Sequence, residues 1–148
     1  MITYVNTFKT NILDPLDILL ADEFSIPIHY DSEFEIRGTQ FFNIIPLIDE
    51  LIENRIGSEV RNYSATIRFY RNVPGQKRKN THVSPAMEIC ERLKRLIKNN
   101  SNHTSGGTYY WHDGSLESIN YNVADDDVSP DYVIVEALFN ATVEEVLS

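Results

Sequence analysis

Between residues 133 and 143 every odd position is apolar (Val133, Val135, Ala137, Phe139, Ala141, Val143), while Glu136, Asn140 and Thr142, with Glu144 just beyond, occupy even positions. A repeat of two is the side-chain repeat of a β-strand, so this segment is expected to be a strand with a core on one side only. The same alternation runs through 61–71, where Tyr63, Ala65, Ile67 and Phe69 point one way and Ser64, Thr66 and Arg68 the other. Two half-buried strands call for a sheet with a second layer over its apolar face.

Helical patterns supply that layer. Val5, Phe8, Ile12, Leu16, Leu19 and Leu20 recur at helical spacing, and Asp14-Pro15 should divide the run, with Asp14 capping the second piece and Pro15 in its first turn. Ser84-Pro85 reads as an N-cap and first helical residue. After it, Met87, Ile89, Cys90, Leu93, Leu96 and Ile97 form an apolar stripe, with Lys and Arg gathered toward the C-terminal end, where they suit the helix dipole.

The remaining segments are shorter or mixed in signal. Ile26-Pro27-Ile28-His29-Tyr30 reads as a short edge strand, because proline cannot donate to a ladder, and a polar stretch follows over 31–38. Residues 40–53 fit a helix face through Phe41, Ile44, Ile45, Ile48 and Leu51, but Pro46 would break it, which favours a strand to about Pro46. Residues 72–80 form a polar loop with a Pro-Gly turn, and 99–107 another polar loop. Asp113-Gly114, between 109–112 and 115–123, is a two-residue hairpin signal. The expected architecture is α+β: residues 1–148 as a single domain, an antiparallel twisted β-sheet with helices packed on one face.

Charge divides the chain unequally. Eight of the 13 basic residues, Arg71, Lys77, Arg78, Lys79, Arg92, Lys94, Arg95 and Lys98, lie in 71–98 beside only Glu88 and Glu91, while the whole chain carries a net charge of −9. An acidic body with one cationic segment favours docking over general stickiness, and its total argues against a sequence-reading nucleic-acid binder. The consecutive Lys77, Arg78 and Lys79 are the best candidates for a partner-contact loop. Cys90 is the only cysteine, so no internal disulfide is expected. The N-terminus lacks the basic and apolar regions of a signal peptide, and no apolar run approaches a membrane span, so the chain is expected to be cytosolic where it is made, with no membrane partner.

No residue set points to a reaction. His29, His82, His103 and His112 are scattered, without the spacing that would put two on one helix face for zinc. Asp125-Asp126-Asp127 with Asp131 and Glu136 imitates a calcium loop, but Pro130 stands where the turn needs glycine, so a solvated acidic turn is the better reading. Cys90 sits on an apolar stripe and reads as core. Gly106-Gly107 lacks the setting of a phosphate loop. Tyr109-Tyr110-Trp111-His112 could stack on bases or sugars, though burial of one strand face accounts for it more simply. The acceptor patterns at Asn62, Asn102 and Asn140 carry no weight without a secretory signal. No catalytic residue, cofactor or metal is expected.

Three stretches in this order resemble the tail terminator family of tailed bacteriophages, also described as tail completion or head–tail joining proteins. The first is Ile26-Pro27-Ile28-His29-Tyr30-Asp31 leading into Phe41-Phe42-Asn43-Ile44-Ile45-Pro46, and the second is Tyr63-Ser64-Ala65-Thr66-Ile67-Arg68-Phe69-Tyr70 before a loop and helix. The third runs from Tyr110-Trp111-His112-Asp113-Gly114 through Ile119-Asn120-Tyr121-Asn122 into a closing strand. The likeness covers nearly the whole chain and rests on layout more than on invariant residues. It implies a non-enzymatic virion protein, a homo-oligomeric ring, usually a hexamer. The ring would cap the head-proximal end of the tail tube, end tube polymerisation and face the head connector, with DNA passing through its lumen without sequence-specific binding. Its place would be the virion neck, and the host cytoplasm during assembly.

Rival readings make different demands. Another neck or head-completion protein would share the architecture. A small acidic enzyme or ligand-binding domain would need a concave pocket with converging polar groups. A nucleic-acid-binding regulator would bind through 71–98 with a steep salt dependence.

Overall fold

The computed structural model describes residues 1–29, 40–72, 83–121 and 132–146. The strands are β1 (Ile28–His29), β2 (Gln40–Arg55), β3 (Ser58–Asn72), β4 (His103–Ser105), β5 (Thr108–Asn120) and β6 (Tyr132–Val146); the helices are α1 (Asp14–Glu23) and α2 (Val83–Asn99). The six strands form one sheet in the order β1-β2-β3-β6-β5-β4. Every neighbouring pair is antiparallel except β1 with β2, where Ile28 and His29 lie parallel to Phe42 and Asn43. The α+β reading therefore stands, with one parallel pair at the edge as a correction. The short edge strand falls inside the expected 26–30 segment, with Ile28 and His29 in the ladder among the described residues.

β3 and β6 pair without interruption from Ser58↔Val146 to Asn72↔Tyr132 and form the centre of the sheet. Their odd residues, Tyr63, Ala65, Ile67, Phe69, Val135, Ala137, Phe139, Ala141 and Val143, are buried in one core with residues of both helices. The helices thus share one face, as the alternation requires. The expected core on one side only is corrected here: on the opposite face Phe41, Tyr70, Tyr132 and Ile134 form a second buried cluster, and Ser64, Thr66 and Asn140 are buried too. Ser64 Oγ donates to Asn140 Oδ1, as does Asn62 Nδ2 at 3.4 Å, which gives the buried amide oxygen its partners.

The N-terminal helix is continuous across Asp14-Pro15. A π-helical segment, Phe8–Leu13, runs directly into α1. Phe8, Ile12, Leu16, Leu20 and Phe24 recur every fourth residue, and on a pure α-helix such a stripe drifts by about 40° per repeat. A wider π turn drifts the opposite way, so the combination holds the stripe over the core. Ile12, Leu16 and Leu20 are fully buried, whereas Val5 is exposed. Asp14 is not the cap. Leu13 holds that position without a side-chain bond, and the Asp14 carboxylate instead accepts from Lys9 Nζ at 2.8 Å.

In α2 the buried residues are Ala86, Cys90, Leu93 and Ile97, one stripe of a 3.6-residue helix. Met87 is exposed, contrary to the expected stripe, because it lies one residue past Ala86 and so off that face. The helix begins at Val83, which places Ser84 and Pro85 inside its first turn, where proline is still tolerated because the early N–H groups have no partner in the helix. At the other end Asn100 closes it, donating both its backbone N–H (3.2 Å) and Nδ2 (2.8 Å) to the Leu96 carbonyl.

Two further expectations change. β2 does not stop at Pro46 but continues to Arg55, because the proline stands at a β-bulge, where the register with β3 shifts between Pro46 and Ile48. Asp113-Gly114 does not turn a hairpin. A two-residue type I′ turn needs positive φ at both positions; Asp113 has it (53°) and Gly114 does not, whereas Gly106 (60°) and Gly107 (83°) both do. The hairpin is therefore β4–β5, and the polar 99–107 segment contains β4. Asp113-Gly114 becomes a β-bulge inside β5, where the register slips between His112↔Thr142 and Ser115↔Asn140.

Candidate interaction surfaces

Past the His112↔Thr142 pair, β2, β3 and the end of β6 continue without β5 and build an arm. Ile56 and Gly57 (φ 77°) turn β2 into β3 at its tip. Leu47, Ile48, Leu51, Ile52 and Ile56 each remain at least 46% exposed there. Register shifts between Pro46 and Ile48 and between Leu51 and Glu53 leave Leu47 and Ile52 outside the β2–β3 ladder. Such bulges spoil a flat edge for strand addition, so the arm presents side chains more than backbone. Residues 46–61 and 143–146 carry Asp49, Glu50, Glu53, Glu59, Glu144 and Glu145 against Arg55 and Arg61. Arg61 bonds Asp49 at 2.6 Å and Glu59 at 3.0 Å, and Arg55 bonds Glu53 at 2.9 Å and Glu144 at 3.4 Å. Pairing with Arg55 holds the Glu53 carboxyl below the usual range, whereas burial, with Asp49 and Glu59 nearby, pushes Glu145 up. The arm is acidic, apolar and exposed.

At the opposite side of the sheet, α2 and the β5 bulge enclose an open groove of about 580 Å³ lined by Lys94, Arg95, Ile97, Lys98, Asp113 and Leu116. Lys94 pairs with Glu91, which also borders the groove, whereas Arg95 and Lys98 are exposed with no ion pair among the described residues. Arg92 turns away from it, bonding the Glu23 carbonyl at 2.8 Å and lying over the Phe24 ring at 4.5 Å. The bulge is held to the end of α2: the Gly114 N–H donates to the Ser101 carbonyl (2.8 Å) and the Asp113 N–H to Asn102 Oδ1 (3.1 Å).

The sequence candidates are distributed as follows. Lys77, Arg78 and Lys79 lie outside the described residues, as do the 31–38 stretch, His82 and the 125–131 acidic run. Glu136, the far member of that run, bonds Arg68 Nε at 2.8 Å across the β3–β6 pair. Trp111 is wholly buried, edge-on to Phe139 at 5.2 Å, and donates Nε1 to the Asn100 carbonyl at 2.9 Å, so it is core and not platform. Tyr109 and His112 stack at the surface at 4.3 Å. His103 lies 4.9 Å from Trp111 and 5.3 Å from Tyr110, and burial lowers its pKa. Among the described residues no three His, Cys, Asp or Glu side chains gather closely enough to hold a metal ion, and no helix is long and apolar enough to cross a membrane.

The arm is what sequence reasoning missed. Its signal was the continuation of apolar residues past Pro46, with acids between them, at a spacing that imitates a helix. No protein-family model matches the chain, and no curated protein matches it.

Proposed function

We propose that the chain is a ring-forming tail terminator of a tailed bacteriophage, a non-enzymatic protein that caps the head-proximal end of the tail tube and joins it to the head connector. The arm carries this reading. Five large aliphatic side chains exposed on the arm leave apolar area in water at roughly 25 cal/mol per Å², and exposed apolar surface in excess marks association. The layout resemblance along nearly the whole chain supplies the class of assembly. A net charge of −9 suits a lumen through which DNA slides, because an acidic wall neutralises no phosphates.

The test is native mass spectrometry across a concentration series, with negative-stain images of the same samples and of samples mixed with polymerising tube protein. Closed rings with a central hole, and tubes that stop growing once capped, are the expected result. A chain that remains monomeric throughout and leaves tube length unchanged sinks the reading.

A further inference from the structure

The arm and the α2–β5 groove lie toward opposite edges of one sheet. β2 and β5 are separated by β3 and β6, which at a strand spacing of about 4.8 Å puts them roughly 14 Å apart across the sheet. The arm of a chain therefore does not reach its own groove. The two surfaces nevertheless match. One offers exposed Leu51, Ile52 and Glu50; the other offers the half-buried Leu116 beside exposed Arg95 and Lys98, with Ile97 already buried in the core behind them. Surfaces that are complementary but sit on different sides of a subunit mate head to tail, and a head-to-tail contact repeated with rotation closes a ring.

We infer that the acidic, apolar arm of one copy seats in the α2–β5 groove of the next copy, with Leu51 and Ile52 against Leu116 and Glu50 facing Arg95 and Lys98. The inference rests on the ring reading and adds which surfaces make the ring. Glu91 and Asp113 border the same groove, so the attraction is concentrated at Arg95 and Lys98. The contact should weaken as ionic strength rises, since its charged part lies at an exposed rim.

Two double variants test it in the full chain: Leu51→Asp with Ile52→Asp on the arm, and Arg95→Glu with Lys98→Glu at the groove. All four positions are exposed, and circular dichroism together with Trp111 emission checks that both variants fold. In sedimentation velocity each variant alone should lose self-association by more than about tenfold. Mixed, the two should form a one-to-one complex and nothing larger, because the arm variant retains a sound groove and the groove variant a sound arm. Rings that survive both pairs of substitutions, or a mixture that yields no heterodimer, overturn the arm-in-groove contact and leave the ring reading standing. A wild-type chain that associates neither alone nor on polymerising tube protein overturns both.

Discussion

Gly114 stands over the indole of Trp111: a methyl group built on its Cα would lie 2.5 Å from Nε1 and 3.0 Å from Cδ1. Gly114 has no positive φ, so the position needs glycine for room and not for backbone freedom. Its neighbours are fixed, since Trp111 is fully buried and the Ser101 carbonyl lies 3.3 Å from the same point. Gly114→Ala is expected to destabilise the fold by about 1–3 kcal/mol through overpacking, read as a lower urea midpoint with an unchanged slope.

Trp111 is the sole tryptophan, which makes it a clean reporter. Native emission should be blue-shifted and should move to the red in a single step on unfolding. Trp111→Phe removes the donor to the Asn100 carbonyl at the end of α2 and thins the edge-on contact with Phe139. A loss of about 2 kcal/mol is expected in chemical denaturation followed by circular dichroism.

Glu145 should make stability depend on pH. Burial first, then the charges of Asp49 and Glu59, raise its pKa above the ordinary 4.5, although Arg61 works the other way. Between 4.5 and the folded value the folded chain holds more protons than the unfolded one, so this group's contribution to stability falls as pH rises through that window. Glu145→Gln keeps an acceptor for the Tyr63 hydroxyl and removes the charge. The variant should match wild type below the window and exceed it at neutral pH by about 0.5 kcal/mol, measured as urea unfolding across a pH series.

Cys90 is buried, and that burial pushes its thiol pKa up, against a smaller opposing hydrogen bond with Tyr121. The thiolate is the reactive form, so iodoacetamide should leave the native protein unmodified and label it only as it unfolds. Labelling that outruns unfolding would show that α2 opens locally.

Where one signal dominated, the sequence was readable. The odd-position alternation of β3 and β6 placed the helix-facing core around Phe69 and Phe139 correctly, but gave no sign of the second buried cluster of Phe41, Tyr70, Tyr132 and Ile134 on the other face. α2 was legible because one signal dominated there too. The failures came where two rules met at one residue. Pro46 breaks a helix but is harmless at a β-bulge, and which applied depended on the register shift with β3 between Pro46 and Ile48. Asp113-Gly114 has the composition of a turn, yet the neighbouring Gly106-Gly107 satisfies the turn geometry better and leaves the former to a bulge under which Trp111 packs. The groove could not be read at all, because it depends on how α2 sits over that bulge, a relation between segments with no local trace. The arm was visible only as apolar residues in excess of what a core needs.

β6 is the last strand in chain order and the middle strand in space: it joins β3 on one side and β5 on the other, with Ser58 meeting Val146 and Asn72 meeting Tyr132. On a ribosome the β2–β3 hairpin must therefore wait with one long edge open while α2, β4 and β5 emerge. These distant pairings set a slow clock for folding, since loop closure must precede any gain from the central ladder. The nascent chain passes through a stage in which β3 can be completed by a strand from another molecule as readily as by its own. Crowded synthesis is therefore a condition that puts this open edge at risk of mispairing.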